Sequence, residues 1–172
     1  MRYLDGQQVN VYSIETGFVS IQEGIVSFSS SMATTRSQIS MQRWVTIILD
    51  ISEPMTDVSD MKPNKFVVAL KGLLVFIFHF FEHNPLSQLS ILTTSDGMAR
   101  ILSPLSGHLE AHTSAIRGIV QKDTTPDKAI VGVGFPSLQN ALLLAEDSMK
   151  KVPKYGQKEI VLVMGALQTQ DP

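Results

Sequence analysis

The chain has 172 residues, with 14 Lys and Arg against 16 Asp and Glu, a formal net charge of -2 and no Cys. This length predicts one modest domain, and the near-neutral charge argues against indiscriminate binding to nucleic acid, which needs a basic surface. The lack of Cys excludes disulfides, thiol catalysis, iron–sulfur clusters and Cys-based zinc sites within this chain.

The most apolar stretch runs from Phe66 to Phe81 and is interrupted by Lys71 and His79. It is shorter than the roughly 20 residues that a membrane-spanning helix needs. The first residues also lack the apolar segment of a signal peptide. We therefore expect a protein that is made and kept inside the cell, without a membrane partner.

Residues 1–42 form an N-terminal extension that is rich in Ser, Gln and Thr. Alternating apolar residues over 9–14 and 18–28, with a turn at Gly24, are compatible with a β-hairpin. The Ser-rich stretch 29–40 is typical of a linker.

Residues 43–172 change to an α/β pattern. The run from Trp44 to Leu49 is continuously apolar and ends on Asp50, as in a strand buried on both faces of a parallel sheet. Strands alternating with helices predict an open, mostly parallel sheet with helices on both faces. The further elements predicted in chain order are a helix from Pro63 to 82, strands over 89–94 and 99–102, a helix over 110–121, a helix opened by Pro136 and Ser137, and a strand over 160–164.

Ligands of open α/β sheets bind beyond the carboxyl ends of the strands. Asp50 and Ser52 leave the first buried strand at such an end, and Ser137 begins a helix there. These oxygens could contribute to a Mg²⁺ site. However, Pro54 and Ala166 supply no side-chain oxygen for further ligands, so we expect Asp50 and Ser52 to bond to loop backbone instead.

Two histidine pairs have the spacing of metal ligands. His79, Glu82 and His83 match the His-x-x-Glu-His pattern of inverted zinc peptidases, and Glu159 is a candidate third ligand. Their place at a helix end favours a simpler role, since cations complement the helix dipole there. His108 and His112 form the second pair, and we expect them at a solvated helix start.

Taken together, these residues resemble a von Willebrand factor A domain whose metal site has decayed. An intact site in that family reads Asp-x-Ser-x-Ser, with a Thr and an Asp on two further loops. Here Asp50, Ser52 and Ser137 stand at degenerate positions of that site, and Pro54 and Ala166 replace two ligands. The resemblance therefore implies an A-domain fold and no expected metal.

Within the A domains, the chain resembles the zinc-finger-bearing subunit family of general transcription factor TFIIH. The resemblance runs from about residue 43 to the end, and it is carried by residues 61–64, 83–91, 105–108, 134–142 and 159–172. The Cys-rich zinc modules of that family are not in this chain. A complete A domain of that family also continues to further helices and two more strands, so we expect a partial domain that ends after its fourth strand.

The resemblance implies a non-catalytic, nuclear subunit that binds and stimulates an XPD-type DNA helicase in nucleotide excision repair and transcription initiation by RNA polymerase II. Its partners would be that helicase and other TFIIH core subunits, with DNA reached only indirectly and no cofactor or small-molecule substrate. The alternatives are an A-domain scaffold of the proteasome regulatory particle and a zinc hydrolase built on His79 and His83.

In the A-domain strand order, the strand over 160–164 lies beside the strand over 44–49. Its other edge would then be bare, and a bare apolar edge tends to pair with other chains. We expect marginal stability unless the N-terminal hairpin or a partner covers this edge.

Overall fold

The computed structural model describes residues 2–4, 7–14, 42–122 and 131–171. The strands are β1 (Arg2–Leu4), β2 (Gln7–Ile14), β3 (Arg43–Asp50), β4 (Gln88–Ser95), β5 (Met98–Ser106) and β6 (Gln157–Val163). The helices are α1 (Glu53–Thr56), α2 (Lys65–His83), α3 (Leu109–Lys122) and α4 (Leu138–Lys150).

The strands form one sheet in the order β1-β2-β6-β3-β4-β5. β3 pairs in parallel with both β4 and β6, and β2 pairs in parallel with β6. Only the outer pairs, β1 with β2 and β4 with β5, are antiparallel in the described part of the chain. The predicted open, mostly parallel sheet is confirmed, and so is the position of the strand over 160–164 beside the strand over 44–49.

Helices pack on both faces of the sheet. Successive side chains of a strand point to opposite faces, so Ile47 of β3 contributes to one core and Ile48 to the other. The larger core packs α2 and α3 against the sheet, and the smaller one packs α4 against it. Burial on both faces explains why β3 is a continuous apolar run rather than an alternating one.

Helix α2 begins at Lys65, slightly later than the start at Pro63 that the sequence predicts. Asn64 is its N-cap, with the side-chain Oδ1 accepting a hydrogen bond from the backbone N–H of Val67 at 2.8 Å. Pro63 therefore precedes the cap instead of lying in the first turn, because Asn64 provides the acceptor that the first turn needs. The helix ends at His83, before Asn84 and Pro85, as predicted.

By length and composition alone, helix α2 could cross a membrane. The apolar stretch from Phe66 to Phe81 is shorter than this helix and, by the length that a membrane span needs, too short to do so. Core helices pass the same test. Its buried residues recur at three- and four-residue spacing and belong to the core against the sheet: Phe66, Leu70, Leu73, Ile77, Phe80 and Phe81.

Two predicted bounds are wrong. Residues 53–56, for which the sequence pattern predicts no helix, form the short helix α1, and β5 extends to Ser106 instead of stopping near 102. Pairing with β4 along most of its length, with register shifts on the way, accounts for the longer strand.

The N-terminal strand has different partners from those predicted. Residues 9–14 lie within β2 as expected, but β2 pairs with β1 and β6. The described residues do not include 18–28 with its predicted turn at Gly24, the predicted linker over 29–40, or 123–130. Pairing with β2, from Asn10 opposite Glu159 to Ile14 opposite Val163, covers the edge of β6. The sequence predicts marginal stability only for a bare edge, and here β2 covers that edge.

Candidate functional site at the carboxyl end of the sheet

Asp50, the last residue of β3, is fully buried. Its Oδ1 accepts a hydrogen bond from the backbone N–H of Ser52 at 2.9 Å. Its Oδ2 accepts bonds from the N–H groups of Gly165 and Ala166 at 3.1 and 3.2 Å. The carboxylate therefore ties the loop after β3 to the loop after β6, as the simpler interpretation of the sequence anticipated for Asp50.

Ser52 lies beside Asp50 and is also fully buried. Its backbone N–H is used by Asp50, but its hydroxyl has no hydrogen-bond partner among the described residues. The expected bond from this hydroxyl to loop backbone is therefore not formed.

Ser137 is the N-cap of α4. Its Oγ accepts a hydrogen bond from the backbone N–H of Asn140 at 3.1 Å and donates one to Oδ1 of Asp171 at 2.5 Å. Its own N–H donates to Oγ1 of Thr94, which lies next to the last residue of β4, as Asp50 lies at the end of β3. Thr94 lies opposite Asp50 in the parallel register of these two strands. Ser137 is thus anchored next to Asp50 on the sheet.

Asp171 is a second carboxylate at this end of the sheet. Its Oδ2 accepts bonds from the N–H groups of Leu138 and Gln139, at 2.7 and 3.1 Å, in the first turn of α4. Burial alone would raise the pKa of Asp171, but the bonds from Ser137 and from these N–H groups outweigh it and lower the pKa below 3.8. A charged carboxylate at a helix N-terminus is also stabilised by the helix dipole.

The donor set at this crevice does not fit the Mg²⁺ ion of an intact A domain. Magnesium demands near-octahedral oxygen ligation. Both oxygens of Asp50 already accept backbone N–H groups, the Ser137 hydroxyl donates to Asp171, and Ala166 offers only a methyl group. The Ser52 hydroxyl is then the only uncommitted side-chain oxygen of the three predicted positions. Hydrogen bonds within the chain therefore engage the side-chain oxygens of Asp50 and Ser137, and too few free oxygens remain for octahedral ligation.

Sequence reasoning missed Thr94 and Asp171. Thr94 carries a readable signal, because it ends a buried strand at the same edge of the sheet as Asp50. Asp171 carries none, since its contact with Ser137 depends on the path of an irregular loop after β6.

The histidine cluster lies elsewhere, on the last turn of α2. His79 Nδ1 is 3.1 Å from Glu82 Oε2, and both side chains are exposed. Glu159 is not available to this cluster, because its carboxylate forms a two-point ion pair with Arg43 at 2.8 and 2.6 Å. The prediction of Glu159 as a third zinc ligand is wrong, since β6 places it beside the first residue of β3.

His112 does not lie at a solvated helix start, although His108 is exposed as expected. His112 is fully buried and stacks on the Phe81 ring at 5.8 Å between centroids. Its Nε2 donates to the carbonyl of Ser106 at 3.1 Å, so its Nδ1 accepts from the Ser103 hydroxyl at 2.8 Å. Burial lowers the pKa of His112 below 6.5. The prediction failed because β5 extends far enough to cover this ring.

Four apolar side chains belong to the segments that border the crevice, and we call them the apolar rim: Met98, Val133, Phe135 and Leu167. All four side chains are exposed, and Leu167 is completely so. Backbone bonds hold the rim together, from Gly97 N–H to the Phe135 carbonyl at 2.9 Å and from Gln170 N–H to the Pro136 carbonyl at 2.9 Å. Apolar side chains that are exposed on neighbouring segments offer a surface that a protein partner can cover.

Comparison with protein families matches residues 48–172 to the Ssl1-like family. A curated relative from Dictyostelium discoideum, named general transcription factor IIH subunit 2, is 39% identical over 132 residues, which is 77% of this chain and 26% of the relative. The protein of the same name from Caenorhabditis elegans is 33% identical and aligns with 99% of this chain and 45% of its own length. That alignment includes the N-terminal extension. The chain spans less than half the length of these relatives.

Solved structures support the fold alone. The VWA domain of SpRpn10 superposes with a TM-score of 0.59 at 19% identity, covering 77% of this chain and 63% of that one. The PilB minor pilin from Streptococcus sanguinis gives a TM-score of 0.51 at 16% identity, covering 73% of this chain and 30% of that one.

Proposed function

Because the chain belongs to the Ssl1-like family, we propose that it is a non-catalytic, nuclear component of TFIIH that binds an XPD-type DNA helicase and stimulates it. Its relatives are named as subunits of general transcription factor IIH and, in Schizosaccharomyces pombe, of a transcription and DNA repair factor. The proposal places the chain in transcription initiation and nucleotide excision repair, with DNA reached through the helicase.

The observation that carries this proposal is the crevice, whose carboxylates are bonded within the chain. Asp50 and Asp171 each accept backbone N–H groups and thereby connect the loops to the sheet and to α4. Because its carboxylates already accept hydrogen bonds from the backbone, the crevice supports binding through surface complementarity rather than through a bridging cation. The apolar rim beside it, with Phe135 and Leu167, supplies the kind of surface that a protein partner covers.

A proteasome-type scaffold shares the fold, since the VWA domain of SpRpn10 superposes on this chain. Family membership and identities of 31% to 39% to curated relatives favour the TFIIH assignment over a likeness at 19% identity. A zinc hydrolase loses the support of its third ligand, because Glu159 is paired with Arg43.

The test is a pull-down of the whole chain with a purified XPD-type helicase, followed by ATP-dependent unwinding with and without the chain. We expect saturable binding and faster unwinding. Absence of binding by a chain with a cooperative unfolding transition would contradict the proposal.

A matched pair of variants locates the surface. Phe135→Glu places a charge in the rim, whereas Phe78→Glu places the same charge on the exposed face of α2, where Phe78 is 53% exposed. We expect Phe135→Glu to weaken helicase binding at least about tenfold, as for a residue at the centre of an interface. Phe78→Glu should bind as the unchanged chain does. The reverse result would place the interface on α2 and α3 instead.

A further inference from the structure

We propose that the last turn of α2 is a binding site for one divalent cation of the zinc class, with His79, Glu82 and His83 as its protein groups. One ligand atom from each residue lies within 4.8 Å of the other two. Positions i, i+3 and i+4 share one face of a helix, so the three groups converge without help from another element.

Small side-chain rotations would bring these atoms to coordination distance. Zinc ligands lie about 2.0–2.2 Å from the metal, which separates neighbouring ligand atoms by roughly 3.4 Å in a tetrahedral site. His79 and Glu82 are 58% and 57% exposed, so their rings and chains can rotate without disturbing the core. The imidazole rings of His79 and His83 already lie 6.2 Å apart between centroids.

A hydrogen bond to the backbone orients the imidazole of His83 toward ligation. His83 Nδ1 lies 2.8 Å from the backbone carbonyl of His79, which can only accept, so Nδ1 carries the proton and Nε2 keeps its lone pair. Metal-binding histidines usually have their second nitrogen held in this way by a carboxylate or a carbonyl. His79 Nδ1 lies 3.1 Å from Glu82 Oε2, so two of the proposed ligand groups already meet, and a bound cation would replace this contact.

The charge and chemistry of the site select the cation. The groups lie at the C-terminus of α2, where the helix dipole is negative, and Glu82 adds a negative charge. Two imidazoles with one carboxylate favour zinc, copper or nickel over magnesium and calcium, which prefer oxygen ligands throughout. Because the side chains are exposed, water would complete the coordination, and the site would bind a cation without enclosing a substrate.

The test is isothermal titration of the untagged full chain with zinc chloride, repeated with magnesium chloride. We expect one saturable zinc site per chain and no comparable magnesium binding. His79→Ala with His83→Ala should abolish saturable zinc binding, and Glu82→Gln, which keeps both imidazoles, should weaken it about tenfold. His108→Ala removes an exposed histidine elsewhere and should leave zinc binding unchanged.

Circular dichroism verifies that each variant retains its helices, and thermal unfolding supplies a second readout. Zinc should raise the unfolding temperature of the unchanged chain but not of the double histidine variant, because a ligand stabilises only a protein that binds it. The proposal is overturned if the folded chain shows no saturable zinc binding, or if the double variant binds zinc as tightly as the unchanged chain.

Discussion

The two ends of the central strands β3 and β6 each bury one carboxylate, and each end satisfies it differently. At the carboxyl end, Asp50 accepts hydrogen bonds from neutral backbone N–H groups. At the opposite end, Glu159 is paired with the guanidinium of Arg43, which also lies over the Phe80 ring at 5.6 Å. The first arrangement depends on loop shape, whereas the second depends on a partner charge.

The comparison explains why we assign the proposed partner surface to the carboxyl end of the strands. The opposite end has a structural role, because its ion pair joins elements of the fold. The bonds of Asp50 and Asp171 fix the path of the loops that carry the apolar rim. The Arg43–Glu159 pair joins two adjacent strands and α2, and it presents little surface, since the Glu159 side chain is 4% exposed. Perturbing each end separately tests this division.

The largest effect is expected at Asp50. Asp50→Asn keeps the size of the side chain but turns an NH₂ group toward N–H donors of Gly165, Ala166 or Ser52. We expect the free energy of unfolding to fall by about 4 kcal/mol, since bonds to a charged group contribute about 1.5–3 kcal/mol each and are not fully additive. Urea unfolding measures the change.

Asp57→Asn is the control, because Asp57 is exposed and its hydrogen bonds are to the adjacent residues Val58 and Ser59. It should leave the free energy of unfolding nearly unchanged. If Asp50→Asn lowers the free energy of unfolding no more than Asp57→Asn does, the structural role that we assign to the buried carboxylate is contradicted.

The next effect is expected at the ion pair. Arg43→Met leaves Glu159 buried without its charge partner and should cost about 3 kcal/mol, whereas Glu159→Gln should cost less because Arg43 reaches solvent. The double variant should cost less than the sum of the two changes. Urea unfolding of all four proteins gives this coupling, and strictly additive losses would show that the pair contributes nothing as a pair.

A smaller effect is expected at Asp171. Asp171→Asn weakens the capping of α4 and should lower the free energy of unfolding by about 1 kcal/mol. Because the pKa of Asp171 is lowered in the folded protein, its stabilisation is present above pH 3.8 and is lost as the pH falls below that value. Unfolding measured through this acid range should therefore be less pH-dependent in the variant, and an unchanged profile would contradict the assignment.

The smallest effect is expected at His112. Its pKa is lowered by burial, so the unfolded chain binds a proton more readily and stability should decrease as the pH falls below 6.5. The slope should not exceed about 1.4 kcal/mol per pH unit. His112→Gln cannot titrate and should flatten the profile below pH 6.5. An equally steep profile would assign the slope to other groups.

Much of the fold could be predicted because its signals are local. The apolar run of β3, the helical spacing of α2 and the capping residue Ser137 are each read from a few neighbouring positions. The same holds for Asp50, which ends a buried strand and therefore lies at the edge where open sheets bind ligands.

The parts that could not be predicted depend on distant contacts. His112 is buried by Phe81 and Ser103, and no spacing around His112 indicates this. By residue type and spacing, Glu159 is a candidate zinc ligand, but the pairing of β6 with β3 brings its carboxylate to Arg43. Asp171 meets Ser137 across 34 positions of the chain through an irregular loop. Tertiary packing, not local pattern, decides such contacts.

The most direct test of the account is the affinity of the chain for an XPD-type helicase measured without nucleotide, once in magnesium and once in excess EDTA. We expect saturable binding with the same dissociation constant in both conditions, because hydrogen bonds within the chain shape the crevice and its rim. Binding that requires magnesium would contradict the metal-independent site, and no binding by the folded chain would contradict the proposed function itself.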